Sequence, residues 1–370
     1  MKYKLGELFS GPGGLALGAL NAKVMNGTLH SIEHAWANDF DQTSCETYRN
    51  NISPKEPESI ICGDVKQLNI EALPPIDAFA YGFPCNDFSI VGEKKGFDGD
   101  FGPLYTYGIK VINHFKPKFF VAENVGGLSS SGGGKAFEKI LQDLSESGNG
   151  YELTVHLYNA SEYGVPQSRN RIIIVGIDKL QNLTFKVPAP TTKNKPITVL
   201  EALNSPPIAN DAHNNELTKQ STTVVERLKL IKPGQNAWTA ELPDHLKLKV
   251  KSAKLSQIYK RLDPNKPSYT ITGSGGGGTH CYHWAEPRAL TNRERARIQS
   301  FPDNFVFSGS KEQVRKQVGM AVPPKLSEAV FTAILKTFAG IEYNHVKANI
   351  DHKNLNVIKQ KEIIKSLSAS

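Results

Sequence analysis

Tyr3-Lys4-Leu5-Gly6-Glu7-Leu8-Phe9, followed by Ser10-Gly11-Pro12-Gly13-Gly14, is the stretch on which the fold turns. Tyr3 to Phe9 reads as a short buried strand, and Leu15, Leu17, Gly18 and Leu20 after the glycines read as a helix. Strand, glycine-rich turn and helix make the first unit of a nucleotide-binding α/β fold. Glycines let the backbone come close to a ligand, and the helix N-terminus favours a carboxylate or phosphate. The spacing G-x-G-G-x-x-x-G departs from the dinucleotide pattern G-x-G-x-x-G, which disfavours a dinucleotide oxidoreductase.

Outward from this unit, Ser31 to Asn38 reads as a second strand ending in Asp39-Phe40-Asp41. Asp39 is placed to accept hydrogen bonds from ribose hydroxyls, and Phe40 to cover an adenine face. Either aspartate could instead cap the helix Gln42 to Asn50, and Asp41 is assigned that task. Ile60 to Val65 reads as a third strand; its Asp64 either meets an adenine amino group or caps a turn. The apolar run Ile76 to Tyr81 then meets Gly82-Phe83-Pro84-Cys85-Asn86. A buried strand ending in Gly and Pro must turn sharply, which lifts Cys85 into the crevice at the carboxyl ends of the strands. A thiol there is a nucleophile if positive charge lowers its pKa, or else a small buried hydrophobe.

Ser89 to Gly102 has no apolar period and reads as a loop over the crevice, before a helix from Leu104 to Phe115. Phe119 to Ala122 is the next buried strand and ends in Glu123-Asn124-Val125, so Glu123 shares the crevice with Cys85. Ser129 to Lys135 is a loop, Ala136 to Ser147 a helix, and Tyr151 to Tyr158 and Arg171 to Ile177 are strands. Arg169 and Arg171, two apart in an extended segment, are expected on one side, as an anion clamp or a surface ion-pair ladder. From Val187 prolines and lysines accumulate and a second domain begins. Gly275 to Gly278 allow close approach or a hinge; helices follow over Leu290 to Ser300 and Pro324 to Phe338. The tail from Glu342 is expected to be a helix of marginal stability.

The formal charge is +8, and it is unevenly placed. Lys179 to Arg261 holds fourteen Lys or Arg against six Asp or Glu, so the remainder balances at thirty against thirty. An excess confined to one segment points to a polyanion partner, most simply nucleic acid. Four scattered cysteines with no Cys-x-x-Cys pair argue against a zinc site or disulfide framework and fit a reducing cytoplasm. No apolar stretch of membrane-spanning length is present, and Met1 to Leu5 leaves no room for a signal peptide.

The order of motifs resembles the DNA (cytosine-5) methyltransferase family of bacterial restriction–modification systems. Phe9 to Gly14 is similar to its S-adenosylmethionine loop, Gly82-Phe83-Pro84-Cys85 to its catalytic turn, and Glu123-Asn124-Val125 to its E-N-V tripeptide. Gln167-Ser168-Arg169-Asn170-Arg171 resembles its Q-x-R-x-R element, Arg288 to Pro302 the motif supporting the recognition domain, and Gln317 to Pro323 the last motif. Asn86 stands where many members have Gln, and Met320 where many have Asn. Residues 187 to 265 match poorly apart from Pro233-Gly234-Gln235-Asn236, as expected of a segment that varies with the DNA site.

The resemblance implies a class I S-adenosylmethionine-dependent methyltransferase fold, Rossmann-like with a mostly parallel sheet, plus a smaller target recognition domain. Its boundaries would be 1–186 for the catalytic domain, 187–265 for recognition, 266–340 for the return and 341–370 for a polar tail. S-adenosylmethionine would lie against Phe9, Gly11, Gly13, Gly14, Asp39, Phe40, Asp64, Val65, Pro84 and Leu104. Cys85 would attack C6 of a flipped cytosine, and Glu123 would hold N3 and the exocyclic amine. Arg169 would hold the base carbonyl oxygen and Arg171 would position the carboxylate or thiolate. Asn86, Ser89, Gln235, Asn236, Lys247, Lys249 and Lys251 would meet double-stranded DNA. A monomer is expected, with any cognate restriction endonuclease a separate protein. A tRNA cytosine-5 methyltransferase, which has a compact recognition region, is disfavoured by the long basic segment; a binding module with a dead site is disfavoured by the intact Cys85, Glu123, Arg169 and Arg171.

Overall fold

The computed structural model describes residues 1–83, 104–126, 134–249, 255–273 and 278–351. Pro84, Cys85, Asn86, Ser89 and the loop to Gly102 lie outside the described residues, as do Ser129 to Gly133, Lys251 and Gly275 to Gly277. The chain forms two compact units: Met1–Asn159 with Asn170–Thr191 and Pro324–Ser370, and Ala160–Arg169 with Thr192–Pro323.

The first unit is built on an eight-stranded sheet with helices between its strands. Strand β1 (Lys2–Leu8) leads through the glycine turn into α1 (Gly14–Asn21). An edge hairpin of β2 (Lys23–Asn26) and β3 (Thr28–Asp39) turns at Gly27, whose φ of 67° is left-handed. Then come α2 (Gln42–Asn51), the short β4 (Ile60–Cys62), β5 (Ala78–Gly82) and α3 (Tyr105–Phe115). The unit continues through β6 (Phe119–Val125), α4 (Lys135–Glu146), β7 (Tyr151–Asn159), β8 (Asn170–Asp178) and β9 (Val187–Pro188).

The spatial order is β2-β3-β1-β5-β6-β8-β7, with β4 on β3. Four pairings, β1 with β3 and β5, β3 with β4, and β5 with β6, are parallel. The carboxyl ends of these five strands therefore share one edge, and the chain leaves β1 to opposite sides. That is the switch point at which open α/β sheets bind ligands. The core is dense enough that Gly6 admits no side chain: a Cβ there would meet the buried Trp36 ring at 2.4 Å.

The second unit contains α5 (Val199–Asn204), α6 (Thr222–Leu230), α7 (Asn292–Ile298) and α8 (Lys311–Met320). Among its described residues β-pairing is confined to isolated bridges. Helices α5, α7 and α8 each open with a reciprocal capping box: Thr198 with Glu201, Thr291 with Glu294, and Ser310 with Gln313. Buried arginines tie the coil together. The Arg261 guanidinium donates to the carbonyl oxygens of His283, Leu228 and Ile231 at 2.9 Å and to that of Trp284. Arg293 donates to those of His213, Pro302 and Phe305 at 2.9, 3.1 and 2.6 Å.

The chain returns to the first unit through α9 (Pro324–Phe338) and β10 (His345–Val346). Helix α9 lies against α1 so closely that a Cβ on Gly18 would meet the Ser327 Cβ at 2.4 Å. Residues 311–338 are long and apolar enough to cross a membrane, but they are mostly buried inside the protein.

The described part of the tail is not the helix expected. Residues 345–346 pair with β9, the Tyr343 hydroxyl donates to the Lys186 carbonyl at 2.8 Å, and Ile350 is buried in the main core. Asn349 accepts from the Leu157 backbone N–H at 2.8 Å and donates to its carbonyl at 3.0 Å. One side chain thus occupies the N–H and C=O of Leu157, two of the backbone groups that edge strand β7 would otherwise expose. These anchors outweigh the weak helical preference of a polar segment.

Candidate active site

Glu123 lies in β6 directly opposite Gly82, the last residue of β5. A Cβ on Gly82 would stand 3.1 Å from the Glu123 Oε2, so the glycine makes room for the carboxylate. Strand β8 runs antiparallel to β6 and brings Arg171 to the same edge, where its Nε donates to the Glu123 Oε1 at 2.7 Å. Both side chains are nearly buried, at 11% and 12% exposure. Burial pulls the Arg171 guanidinium below its ordinary range, and the Glu123 carboxylate pushes it back up.

Asn124, buried beside Glu123, donates its Nδ2 to the Phe83 carbonyl at 3.0 Å and accepts from the Val125 N–H at 2.8 Å. Phe83 directly precedes Pro84-Cys85. A cross-strand hook thus fixes the backbone from which the cysteine turn departs. Sequence reading quoted this asparagine without giving it a task, because nothing local names a partner on another strand.

The two arginines of the 169–171 segment do not act as a pair. Arg169, 1% exposed, directs its NH1 and NH2 groups to the carbonyl oxygens of Ile271 and Gly319 at 2.9 and 2.8 Å. Arg171 is committed to Glu123. The expectation of one shared face gives way to two different partners, because buried carbonyl oxygens in the second unit claim the first guanidinium.

At the end of β1 the turn is left-handed at Phe9, Gly11 and Gly13, with φ of 53°, 52° and 94°. Asp39, at the end of β3, accepts from the Gly11 N–H at 2.8 Å and the Asp41 N–H at 2.9 Å. Burial raises its pKa, and these hydrogen bonds oppose the rise. Asp41 caps α2, accepting from the Ser44 N–H at 2.8 Å. Asp64 caps a 3₁₀ turn through the Lys66 N–H at 2.9 Å. Phe40 is 71% exposed, whereas Val65 and Leu104 are buried.

Two features of this edge fit S-adenosylmethionine. Ser10 buries a hydroxyl oxygen that has no hydrogen-bond partner among the described residues. Nothing lies within 4 Å of a Cβ placed on Gly11, so the turn presents open backbone, and Asp39, which accepts from the Gly11 N–H, is followed by the exposed ring of Phe40. Beneath the turn, a Cβ on Gly13 would stand 3.0 Å from the Tyr48 ring. The Tyr48 hydroxyl donates to buried Glu7 at 3.0 Å, and burial pushes the Glu7 carboxyl up to about 8.

In the second unit, Asn236 spends its side chain on its own turn. Its Nδ2 donates to the Ser256 carbonyl at 2.7 Å and its Oδ1 accepts from the N–H groups of Trp238 and Thr239. Gln235 accepts from the Lys232 N–H at 3.3 Å. Lys247 and Lys249 are exposed, the former paired with Asp244 at 2.7 Å. Arg227 and Arg261, counted in the basic excess, are buried against carbonyl oxygens, so the outward charge of that segment comes from its lysines.

A switch-point crevice with a glycine turn at one strand end and a carboxylate–guanidinium pair at another places the chain among ligand-binding α/β proteins of the Rossmann-like kind. Residues 3–336 match the profile of C-5 cytosine-specific DNA methylases, and the chain belongs to that family. It is 56% identical over 363 residues to the Type II methyltransferase M.BbvI of Brevibacillus brevis, covering 96% of each chain. It is 40% identical to M.NgoFVII of Neisseria gonorrhoeae, over 98% of this chain and 93% of that one. Among solved structures, a prophage-encoded DNA modification methyltransferase from E. coli superposes with a TM-score of 0.70 at 25% identity, over 90% of this chain and 99% of that one. The Dnmt2 methyltransferase of S. pombe shares the fold, with a TM-score of 0.54 at 16% identity over 91% of this chain and 98% of that one.

Proposed function

We propose that this cytosine-5 DNA methyltransferase acts on one cytosine within a short duplex DNA sequence, through a covalent bond between Cys85 and C6. The observation that carries the reading is the Glu123–Arg171 pair beside Gly82, with Asn124 holding the backbone two residues before Cys85. C5 of cytosine is a poor nucleophile. Addition of the Cys85 thiolate to C6 breaks the C5–C6 double bond and leaves an enamine that is nucleophilic at C5. Glu123 holds N3 and the exocyclic amine and shares a proton with the ring as its charge grows. Arg171 orients that carboxylate and offers its remaining donors to the base carbonyl oxygen, a task Arg169 is not given because its guanidinium is spent on the Ile271 and Gly319 carbonyls. After C5 loses its proton, the Cys85 sulfur leaves by β-elimination. The base must first be flipped from the duplex.

S-adenosylmethionine, held by the turn from Phe9 to Gly14 and by Asp39 and Phe40, supplies an electrophilic methyl group. The protein is read as a cytoplasmic monomer, its cognate restriction endonuclease being a separate protein. The deciding experiment compares methyl transfer to duplex DNA and to tRNA, and looks for a covalent adduct with DNA containing 5-fluorocytosine, in which fluorine at C5 cannot leave as a proton. Wild type should form the adduct on duplex DNA and Cys85→Ser should not. Turnover by the serine variant would overturn the mechanism, and a preference for tRNA the substrate.

A further inference from the structure

Eight of the ten arginines fall in the second unit, and six of them direct their guanidinium groups to carbonyl oxygens or carboxylates within 3.2 Å. Arg169, Arg261 and Arg293 meet backbone carbonyls. Arg227 meets the Leu246 carbonyl at 2.8 Å and covers the Tyr259 ring. Arg288 grips Glu286 and Glu294, and Arg297 grips Asp303. The two exceptions are Arg295 on α7 and Arg315 on α8.

Arg295 is 2% exposed, yet its contacts are the Leu290 carbonyl at 3.4 Å and the His280 Nδ1 at 3.5 Å, both at the limit of a hydrogen bond. Arg315 buries an Nε that has no partner among the described residues. Its one ion pair is to Glu312 at 3.7 Å, a side chain 86% exposed. The remaining nearby acid, Glu294, is saturated: Arg288 donates to both its oxygens at 2.8 Å, and the Thr291 N–H to one at 2.7 Å. Helices α7 and α8, which carry the two arginines, pack against each other, and burial together with both cations holds the imidazole of His280 at about 4. His280 is therefore neutral at pH 7 and cancels no charge. Among the described residues Arg295 pairs with no acid and Arg315 only with a distant, exposed one, and desolvated cations so placed are costly unless an anion compensates them.

We infer that Arg295, Arg315 and His280 form an oxyanion site in the second unit that takes a backbone phosphate of duplex DNA. The inference rests on the DNA methylation reading. A pair of guanidinium groups offers planar, paired donors that match phosphate oxygens, and the partly exposed Arg315 provides the entry. A phosphate contact would set the register of the second unit on the duplex without reading sequence. The site is absent from the lysine-rich segment, so counting charge along the chain does not find it.

The test measures duplex affinity against salt for wild type, Arg315→Gln, Arg315→Lys and Arg295→Gln. Arg315→Gln should lower the slope of log affinity on log salt by about 0.9, so that raising salt from 50 to 200 mM costs wild type about 3.5-fold more than the variant. Target and non-target duplexes should be affected alike, and Arg315→Lys should keep the slope. S-adenosylmethionine affinity should not move. Removing uncompensated charge should leave the melting temperature of both glutamine variants equal or raised. Arg261→Gln, which strips carbonyl partners, should melt lower.

Inorganic phosphate at matched ionic strength is the second arm, and should stabilise wild type but neither glutamine variant. An unchanged salt slope overturns the backbone contact even if phosphate still binds, and would make the site one for free phosphate. A lowered melting temperature together with absent phosphate binding overturns the site itself. If wild type binds no duplex at all, the functional reading fails, and the phosphate arm still judges the site.

Discussion

Replacing Asn124 by alanine removes the hook between β6 and the backbone that leads into Cys85. The side chain is 3% exposed and donates to the Phe83 carbonyl at 3.0 Å. Its loss leaves a buried carbonyl oxygen unpaired, a cost of about 1–3 kcal/mol. If that cost falls on the transition state, methyl transfer slows by about 5- to 150-fold, since each 1.36 kcal/mol is tenfold. Displacing the turn by about 1 Å would by itself cost about a hundredfold. Single-turnover methyl transfer with saturating duplex and cofactor is the assay, because it isolates the chemical step from product release. Trapping on 5-fluorocytosine DNA should slow by the same factor, since the hook acts before addition to C6. Affinities for duplex and for S-adenosylmethionine should stay within about twofold. A variant whose single-turnover rate matches wild type would refute the reasoning and reduce Asn124 to a packing residue.

Glu123→Gln keeps the shape but loses the titratable proton and the charge facing Arg171, so turnover should fall by about two to four orders of magnitude while DNA affinity holds. Asp39→Ala frees the Gly11 and Asp41 N–H groups and should weaken S-adenosylmethionine binding by about 1.5–3 kcal/mol in calorimetry; unchanged affinity would leave Asp39 a turn brace alone. Glu7 supplies a pH dependence. Its carboxyl ionises near 4.5 when unfolded and about 8 when folded, pushed up by burial and by Asp39, with the Tyr48 hydroxyl opposing. Between those values the unfolded chain has released a proton that the native state keeps, so the native state loses about 1.4 kcal/mol per pH unit as pH rises. Glu7→Gln should flatten melting temperature against pH over that window, and a profile parallel to wild type would show Glu7 ionised in the fold.

The sheet was legible because its parallel strands end at or near a glycine or an acid, and because β5 and the start of β6 are apolar runs. Leu8 before the glycine turn, Asn38 before Asp39 and Ala122 before Glu123 all mark carboxyl ends that the topology gathers on one edge. The capping boxes at Thr291 and Ser310 were written in the chain as well, though only the first was read as a helix start; Ser310 with Gln313 carries the same signal. What depends on distant partners was not legible. Arg169 and Arg171 look alike in sequence, and only the carbonyls of Ile271 and Gly319 separate them. Asn236 resembles a base reader until Ser256, Trp238 and Thr239 use up its amide. Arg227 and Arg261 count as surface charge until they are found inside.

The Asn349 clasp on Leu157 has a consequence for synthesis. The ribosome delivers β7 some 190 residues before the side chain that finishes its outer edge, since Asn349 and Leu157 are 192 positions apart. Throughout that interval the nascent sheet ends in unpaired donors and acceptors, the state in which strands recruit one another across neighbouring chains. Closure comes with the last described residues of the chain. A nonsense codon anywhere between Ala339 and Asn349 would release a protein with its cofactor turn and Glu123–Arg171 pair encoded in full, and with the Leu157 N–H and C=O on that edge uncovered. Such a product is expected to be lost to aggregation before it is lost to inactivity.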